Sequence, residues 1–259
     1  MLNSTISRLL ISVNSVDEFE IAFDSKVPWI DFKDPKVGAL GQPSLSVVRD
    51  SAKRFAEIMG RNVDAFRGGE FQWSIAGGEL LEWAKPREWS LPTRVRIEAL
   101  GDRGAIKWGL TGCQRRPDWK EHFASLVEGF PNREQVILAH YADHQRVGAP
   151  DWNDVFTVAH GMGMRRILID TAVKDGTGLL DHVPIQRLVE QIDQVHRVGM
   201  EIAIAGSLRF EGLEKVRCLG ADWIGLRGGV CRDPNDRNSP VARERIELVM
   251  GRLKGERGR

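Results

Sequence analysis

The sequence predicts a single (β/α)8 barrel, or TIM barrel, on three observations. Short apolar runs recur along the chain with little alternation of polar and apolar residues, which is typical of strands buried on both faces of a parallel sheet. Segments with helical periodicity separate these runs. The length of 259 residues suits one such barrel, and no change in composition marks an internal linker. An open, doubly wound sheet is the main alternative.

Eight of the apolar runs are predicted to be strands. They are Leu9–Val13, Trp29–Phe32, Phe71–Ala76, Ala105–Gly109, Gln135–Ala139, Arg166–Asp170, Glu201–Ala205 and Asp222–Leu226. Gly163, Gly199 and Gly220 each follow a helical segment and precede one of the later strands, as expected of helix-ending glycines. Eight such units within the length of one domain favour a closed barrel, and residues 1–259 are predicted to form this single domain.

The segments between the strands are predicted to be helices with one apolar side. They are Leu45–Met59, Asp118–Phe130, Asp151–His160, Pro184–Val198, Glu211–Leu219 and Pro240–Leu253. The helix of the third unit would fall between Glu79 and Leu100, where Pro86 and Pro92 interrupt the pattern. The polar tail, residues 254–259, is predicted to fray.

Composition narrows the class of protein. The net charge of +1 suggests neither a nucleic-acid partner nor an anionic membrane surface. Cys113, Cys218 and Cys231 form no CxxC pair, which argues against structural zinc and a disulfide framework. No signal-peptide pattern begins the chain, and no apolar stretch reaches the ~20 residues of a membrane helix. We therefore expect a cytoplasmic protein, and self-association is left open. A local concentration of positive charge would still suit an anionic small molecule.

Charged residues follow the second predicted strand in a pattern that suggests chemistry. Asp31 and Lys33 are two residues apart and point to the same side, whereas Ile30 and Phe32 point to the other. If the apolar side meets the helices, Asp31 and Lys33 enter the barrel. Burial lowers the pKa of a lysine and makes it nucleophilic near neutral pH. The competing interpretation is a structural ion pair.

Two further strands carry the same signal. Lys107 alternates with Ile106 and Trp108 in the fourth strand, and Asp170 ends the sixth strand with Lys174 in the loop after it. Active sites of such barrels form at the carboxyl ends of the strands. Lys33, Lys107, Lys174, Asp31 and Asp170 are therefore the predicted catalytic residues.

The last two strands end in small residues that suit phosphate. Gly206 and Ser207 follow strand seven, and Arg227, Gly228 and Gly229 follow strand eight. Backbone N–H groups can approach an anion there, and Arg227 would add a charged contact. The alternative is that these glycines only form tight turns.

No metal or organic cofactor is predicted. His140 and His144 are four residues apart but have no evident third ligand. Gly161 and Gly163 lack the third glycine of a dinucleotide-binding motif, and no Walker lysine motif occurs.

Together the motifs resemble the (5-formylfuran-3-yl)methyl phosphate synthase family. The specific segments are Asp31-Phe-Lys33-Asp-Pro35 and Asp170-Thr-x-x-Lys174-Asp-Gly176, supported by the stretches 9–13, 38–41, 106–110, 205–208 and 225–231. Residues 60–104 resemble the family least, and Trp108 stands where a smaller apolar residue is usual.

The resemblance implies a barrel enzyme that condenses two molecules of glyceraldehyde 3-phosphate into a furan aldehyde phosphate, for methanofuran-type cofactors in one-carbon metabolism. It implies a Schiff base on Lys33, with Asp31, Lys107, Asp170 and Lys174 at the other catalytic positions. Lys174 stays an alternative imine lysine, since many barrel aldolases carry theirs on strand six. A class I aldolase, a phosphosugar isomerase and a non-catalytic barrel subunit are the other candidate functions.

Overall fold

The computed structural model describes residues 7–61, 71–82, 104–128, 130 and 132–255. Eight parallel strands close into a barrel, in which each strand pairs with the next and the eighth pairs with the first. This closed sheet confirms the predicted (β/α)8 barrel and excludes the alternative of an open, doubly wound sheet. The strands are β1 Arg8–Val13, β2 Trp29–Phe32, β3 Gln72–Glu79, β4 Gly104–Gly109, β5 Val136–Tyr141, β6 Arg166–Asp170, β7 Glu201–Ile204 and β8 Trp223–Leu226.

Helices connect the strands on the outside of the barrel. Those in the described ranges are α1 Val16–Asp24, α2 Leu45–Arg61, α3 Trp119–Val127, α4 His144–Val147, α5 Trp152–Gly161, α6 Leu179–His182, α7 Ile185–Arg197, α8 Leu213–Val216 and α9 Arg243–Leu253. Gly163, Gly199 and Gly220 adopt positive φ angles before β6, β7 and β8, as their predicted helix-ending role requires. The predicted helix between Glu79 and Leu100 falls mostly outside the described residues, as do residues 256–259 of the tail.

Several predicted segments have different bounds in the structure; strand β3, for example, ends at Glu79 rather than at Ala76. The helix predicted over Glu211–Leu219 is reduced to α8, preceded by a 3-10 turn over Phe210–Gly212. Strand β5 continues to Tyr141, two residues beyond its predicted end, because Tyr141 pairs with Asp170 of β6. The carboxyl ends of β5 and β6 therefore lie at the same level of the barrel.

Helix α1 was not predicted, although the sequence contains its starting signal. Ser15 caps the helix by accepting a hydrogen bond from the Glu18 N–H at 3.2 Å. A serine followed three residues later by glutamate is typical of a helix N-terminus. The Glu18 carboxylate accepts from the Asn14 N–H at 2.7 Å, so it also ties the helix to the end of β1.

Side-chain alternation divides the core into two layers. Ile30 and Phe32 are fully buried on the outer side of the strands, where Phe32 stacks on Phe19 of α1 at 5.8 Å between ring centroids. Asp31 and Lys33 therefore point into the barrel. The condition on which the predicted active site depended is confirmed by this packing.

The N-terminal end of the barrel is closed by large side chains. Trp29 and Trp223 meet edge to face at 4.8 Å, and Arg166 donates to Glu201 at 2.7 Å beside them. These groups fill the barrel interior below the strand centres. Among the described residues, no helix is both long and apolar enough to cross a membrane.

Candidate active site

A cavity of about 890 Å³ opens at the carboxyl ends of the strands. Nine of the ten predicted site residues line it; Asp31 is the exception. Lys33 and Lys107 reach it from β2 and β4, Asp170 and Lys174 from β6 and its following loop. Among all lining residues seven are basic and three are acidic, which favours an anionic ligand.

Asp31 lies beneath the cavity and holds Lys107. One carboxylate oxygen, Oδ1, accepts from the Lys107 amine at 2.6 Å and from the Ser74 hydroxyl at 2.7 Å. The other oxygen accepts from the Ser12 hydroxyl at 3.1 Å. Asp31 is fully buried, so a carboxylate at this depth is stable only with such partners. Ser12 and Ser74 were missed, although strand alternation would have placed both inside the barrel.

Asp170 and Lys174 form a second pair on the opposite wall. The Lys174 amine donates to Asp170 Oδ1 at 2.9 Å and to the Thr171 hydroxyl at 2.9 Å. The Thr171 N–H donates to the same Asp170 oxygen at 2.8 Å. Burial by itself would raise the pKa of Asp170, but Lys174 and Lys33 outweigh it and the pKa is lowered. Asp170 is thus an ionised carboxylate on the cavity wall.

Lys33 lies between these two pairs without a partner of its own. Its side chain is 7% exposed, and within the described part of the chain its amine has no hydrogen bond or ion pair. Burial lowers the pKa of Lys33 to about 7, with Lys174 and Lys107 acting in the same direction and Asp170 and Asp31 against it. About half of such amines are unprotonated at neutral pH, which is what a nucleophilic lysine requires.

The glycine-rich ends of β7 and β8 present backbone N–H groups to the cavity. Gly206 and Ser207 have φ angles of +106° and +47°, a region that non-glycine residues such as Ser207 enter only at an energetic cost. A Cβ on Gly206 would come within 3.0 Å of Thr171. Among the described residues, the N–H groups of Ser207, Gly228 and Gly229 have no backbone or side-chain acceptor. Backbone N–H groups without a protein acceptor, on residues that line one cavity, suit an anion.

Protein groups already use the donors of Arg227, the residue that the sequence predicts to contact phosphate. Its guanidinium forms a bidentate pair with Glu18, at 2.5 Å and 2.9 Å. The remaining N–H groups donate to the carbonyls of Ser12, Arg237 and Ser239 at 3.0, 3.0 and 3.3 Å. A guanidinium has five N–H donors, and protein acceptors use all five here. Arg227 therefore links the end of β8 to α1 and to the following loop.

A third, partly buried pair joins the ends of β3 and β5. The Tyr141 hydroxyl donates to Glu79 Oε1 at 2.5 Å, and the Thr111 N–H donates to Glu79 Oε2 at 2.8 Å. Burial raises the pKa of Glu79 and that of Tyr141. A Cβ on Gly109 would clash with both groups, so glycine is required there. Neither Glu79 nor Tyr141 lines the cavity.

The histidines considered as metal ligands lie away from this cavity. The rings of His140 and His144 are 5.3 Å apart, and Trp152 packs edge-on against His140. Burial and His144 lower the pKa of His140 to about 4. In the parts of the chain that the structure describes, no three histidine, cysteine or acidic side chains cluster as metal ligands would.

Comparison with known proteins gives the family. The model of the 4-HFC-P synthase family matches residues 9–250, which is nearly the whole barrel. The chain belongs to the 4-HFC-P synthase family. Among its relatives is the (5-formylfuran-3-yl)methyl phosphate synthase of Methanococcus maripaludis strain S2, 32% identical over 238 residues, which are 89% of this chain and 92% of the relative. The Methanopyrus kandleri enzyme of the same name is 32% identical over 92% of this chain and 95% of its own.

Solved structures agree with the fold. Phosphoribosyl anthranilate isomerase from Thermus thermophilus superposes with a TM-score of 0.57, at 16% identity over 96% of this chain and all of its own. A 3-hexulose-6-phosphate synthase from Salmonella typhimurium gives 0.55, at 13% identity over 96% and all of its own chain. At such identities the likeness concerns the barrel alone. The family assignment therefore depends on the sequence relatives, and it makes this chain a member of an enzyme family.

Proposed function

We propose that this chain condenses two molecules of glyceraldehyde 3-phosphate into (5-formylfuran-3-yl)methyl phosphate through a Schiff base on Lys33. The product is the one in the names of its relatives. We place the reaction in the cytoplasm, as a step of methanofuran-type cofactor biosynthesis. One inorganic phosphate and two waters would leave, so the step belongs to carbon–oxygen lyase chemistry.

The observation that carries the proposal is the unequal state of the three lysines. Lys107 and Lys174 are each held by a carboxylate, at 2.6 Å and 2.9 Å. Lys33 has no such partner in the described structure, and its pKa is about 7. Lys33 is thus the amine best prepared to attack a carbonyl, and Lys174 is the less suitable of the two candidates.

The remaining groups have roles that fit this assignment. One triose phosphate would first become its ketone isomer, and Lys33 would form an iminium with it and release water. The iminium acidifies the neighbouring carbon, and the resulting enamine would attack the aldehyde of the second triose. Asp170, which lines the cavity, would move protons at these steps. Asp31 is sealed below, so we assign it to the positioning of Lys107 rather than to contact with substrate.

The residues after β7 and β8 that line the cavity would hold a phosphate through their backbone N–H groups. Ser207, Gly228 and Gly229 offer these groups from two neighbouring strand ends, and Gly206 allows the close approach to Thr171. Small residues let a phosphate approach backbone N–H groups closely, and such phosphate sites recur after strands seven and eight of barrels.

Trapping the intermediate tests this function. Purified protein incubated with glyceraldehyde 3-phosphate should release an aldehyde with strong ultraviolet absorption, and borohydride should then fix a triose adduct on Lys33, located by peptide mapping. An adduct on Lys174 would overturn the assignment of the nucleophile. Aldol or isomer products without the furan would favour a class I aldolase or a phosphosugar isomerase. Equal activity of the wild type, Lys33→Ala and Lys174→Ala would favour a non-catalytic barrel.

A further inference from the structure

Arg237 is an arginine of the cavity that has no role in the ion pairs described above. It lies in the loop between β8 and α9 and lines the cavity, half-buried. Its guanidinium makes one long hydrogen bond, from Nη2 to the Gly38 carbonyl at 3.4 Å, and no ion pair with any described residue. Burial lowers the pKa of Arg237, and the negative charge of Asp170 acts against that shift. A guanidinium nonetheless stays charged in proteins.

An arginine in this state is short of an acceptor. Removing a cation from water is unfavourable unless an anion or hydrogen-bond acceptor replaces the lost solvent. Arg227, a neighbour on the same loop, shows the alternative, since Glu18 and three carbonyls use all its donors. Arg237 keeps most of its donors for a group that enters the cavity.

The position of Arg237 is set by Arg227 and Glu18. The Arg227 Nε donates to the carbonyl of Arg237 at 3.0 Å, and its Nη2 donates to the carbonyl of Ser239 at 3.3 Å. The Glu18 carboxylate accepts from the Val241 N–H at 3.2 Å. The loop is therefore fastened to one buried ion pair at Arg237 itself and at Ser239 and Val241, which follow it.

The nearby backbone indicates which ligand would complete this site. Gly228, Gly229 and Ser207 line the same cavity with N–H groups that have no described acceptor. A tetrahedral dianion can accept from several backbone N–H groups and from a guanidinium at once, and arginine binds phosphate with two parallel hydrogen bonds. A phosphate monoester has the required charge and shape.

We propose that Arg237 is the charged phosphate-binding residue of the cavity, the role expected of Arg227, and that it determines the preference for a phosphorylated substrate. Arg227 and Glu18 are positioning residues that hold Arg237 over the cavity. The identity of the phosphate as that of a triose rests on the proposed function, whereas the anion site itself does not.

The test compares Arg237→Gln with Arg232→Gln. Arg232 is an exposed arginine of the same loop that does not line the cavity, so its replacement makes the same change in charge. We expect Arg237→Gln to raise the KM for glyceraldehyde 3-phosphate about 10- to 100-fold, with a smaller change in kcat. Calorimetry with inorganic phosphate should show the same loss of affinity without any need for turnover. Arg237→Lys should give intermediate values, since it keeps the charge but not the fork geometry.

The outcomes separate this inference from the proposed function. If the wild type forms the furan while Arg237→Gln matches Arg232→Gln in KM and phosphate affinity, Arg237 is not the phosphate ligand. If phosphate binding weakens only in Arg237→Gln while the wild type forms no furan, the anion site stands and the proposed function fails.

The positioning role is tested by non-additivity. Glu18→Gln should weaken phosphate binding in the wild-type background and have little further effect in Arg237→Gln, because both changes act on one contact. Equal effects of Glu18→Gln in the two backgrounds would show that Glu18 does not act through Arg237. Arg227→Lys provides a second variant for the same cycle should Glu18→Gln fold poorly.

Discussion

Both ends of the barrel hold buried charges, but in different arrangements. At the N-terminal end, Arg166 donates to Glu201 at 2.7 Å and lies over the Trp29 ring at 5.1 Å. Arg165 contacts the same Glu201 at 3.4 Å. Burial by itself would raise the pKa of Glu201, but its arginine partners, Arg166 above all, outweigh it and the pKa is lowered. At the carboxyl end, Asp31 pairs with Lys107 and Asp170 with Lys174, and Lys33 has no ion-pair partner among the described residues.

The same strands supply both ends, so the difference comes from residue type. Strand β6 begins with Arg166 and ends with Asp170, and β2 begins with Trp29 and continues past its end to Lys33. A buried arginine such as Arg166 cannot lose its charge and is stabilised by a permanent partner, here Glu201, whereas a buried lysine can become neutral. The N-terminal end of the barrel therefore contributes to stability, and the carboxyl end keeps a reactive amine at a cost in stability.

The largest effect should come from Lys33→Met. Methionine fills a similar volume but has no amine, so no imine can form, and we expect kcat to fall by at least about 10³-fold. Single-turnover kinetics with glyceraldehyde 3-phosphate measures this. Lys36→Met, at an exposed lysine three residues further on, is the matched control and should keep wild-type turnover. Turnover by Lys33→Met within tenfold of the wild type would remove Lys33 from the chemistry.

At the N-terminal end, Arg166→Met should reduce stability rather than turnover. This change removes the closest partner of Glu201, and we expect it to lower the free energy of unfolding by about 2–3 kcal/mol while turnover is kept. Urea denaturation measures the change. Arg165→Met, which removes a longer and more exposed contact, should cost much less. A large loss of turnover in folded Arg166→Met would mean that the two ends are not separate in function.

Lys33→Met should also raise stability, by about 1–2 kcal/mol at pH 7, because it removes a buried amine without a partner. The folded-state pKa of about 7 lies below the ordinary 10.5 of lysine, so the unfolded chain binds more protons between these values. The penalty in the wild type is full below pH 7 and decreases as the pH rises toward 10. The gain from Lys33→Met, measured by denaturation at several pH values, should therefore shrink over that range. A gain independent of pH would contradict the lowered pKa.

The pH dependence of the rate should show the influence of Lys174 on Lys33. In the wild type we expect kcat/KM to rise about tenfold per unit below pH 7 and to level off above it. The charge of Lys174 lowers the pKa of Lys33, so Lys174→Met should move this limb to higher pH. If Lys174 formed the imine, the variant would instead lose activity at every pH.

Strand alternation in the sequence predicts the inward Asp31, Lys33 and Lys107, because the outward Ile30, Phe32 and Trp108 are apolar. Asp170 and Lys174 are predicted instead from their position at the end of β6 and in the loop after it. Strand alternation could not predict the use of Arg227, since its partner Glu18 is 209 residues away along the chain. Arg237 carried no periodic signal, because it lies in an irregular loop. Contacts between the first and last units of the closed barrel, rather than a local sequence pattern, decide which arginine keeps donors for a ligand.

The smallest predicted effect concerns the residue that connects the two ends. The Trp29 indole N–H donates to the Ser74 hydroxyl at 2.9 Å, and that hydroxyl donates to Asp31 at 2.7 Å. Ser74→Ala leaves the indole N–H without its acceptor and Asp31 with one donor fewer, so we expect a loss of about 1 kcal/mol in unfolding free energy. Asp31 would still hold Lys107, so turnover should fall only a few-fold. If stability falls while turnover is unchanged, Ser74 stabilises only the N-terminal end of the barrel. If both fall together, one hydrogen-bonded chain supports both ends.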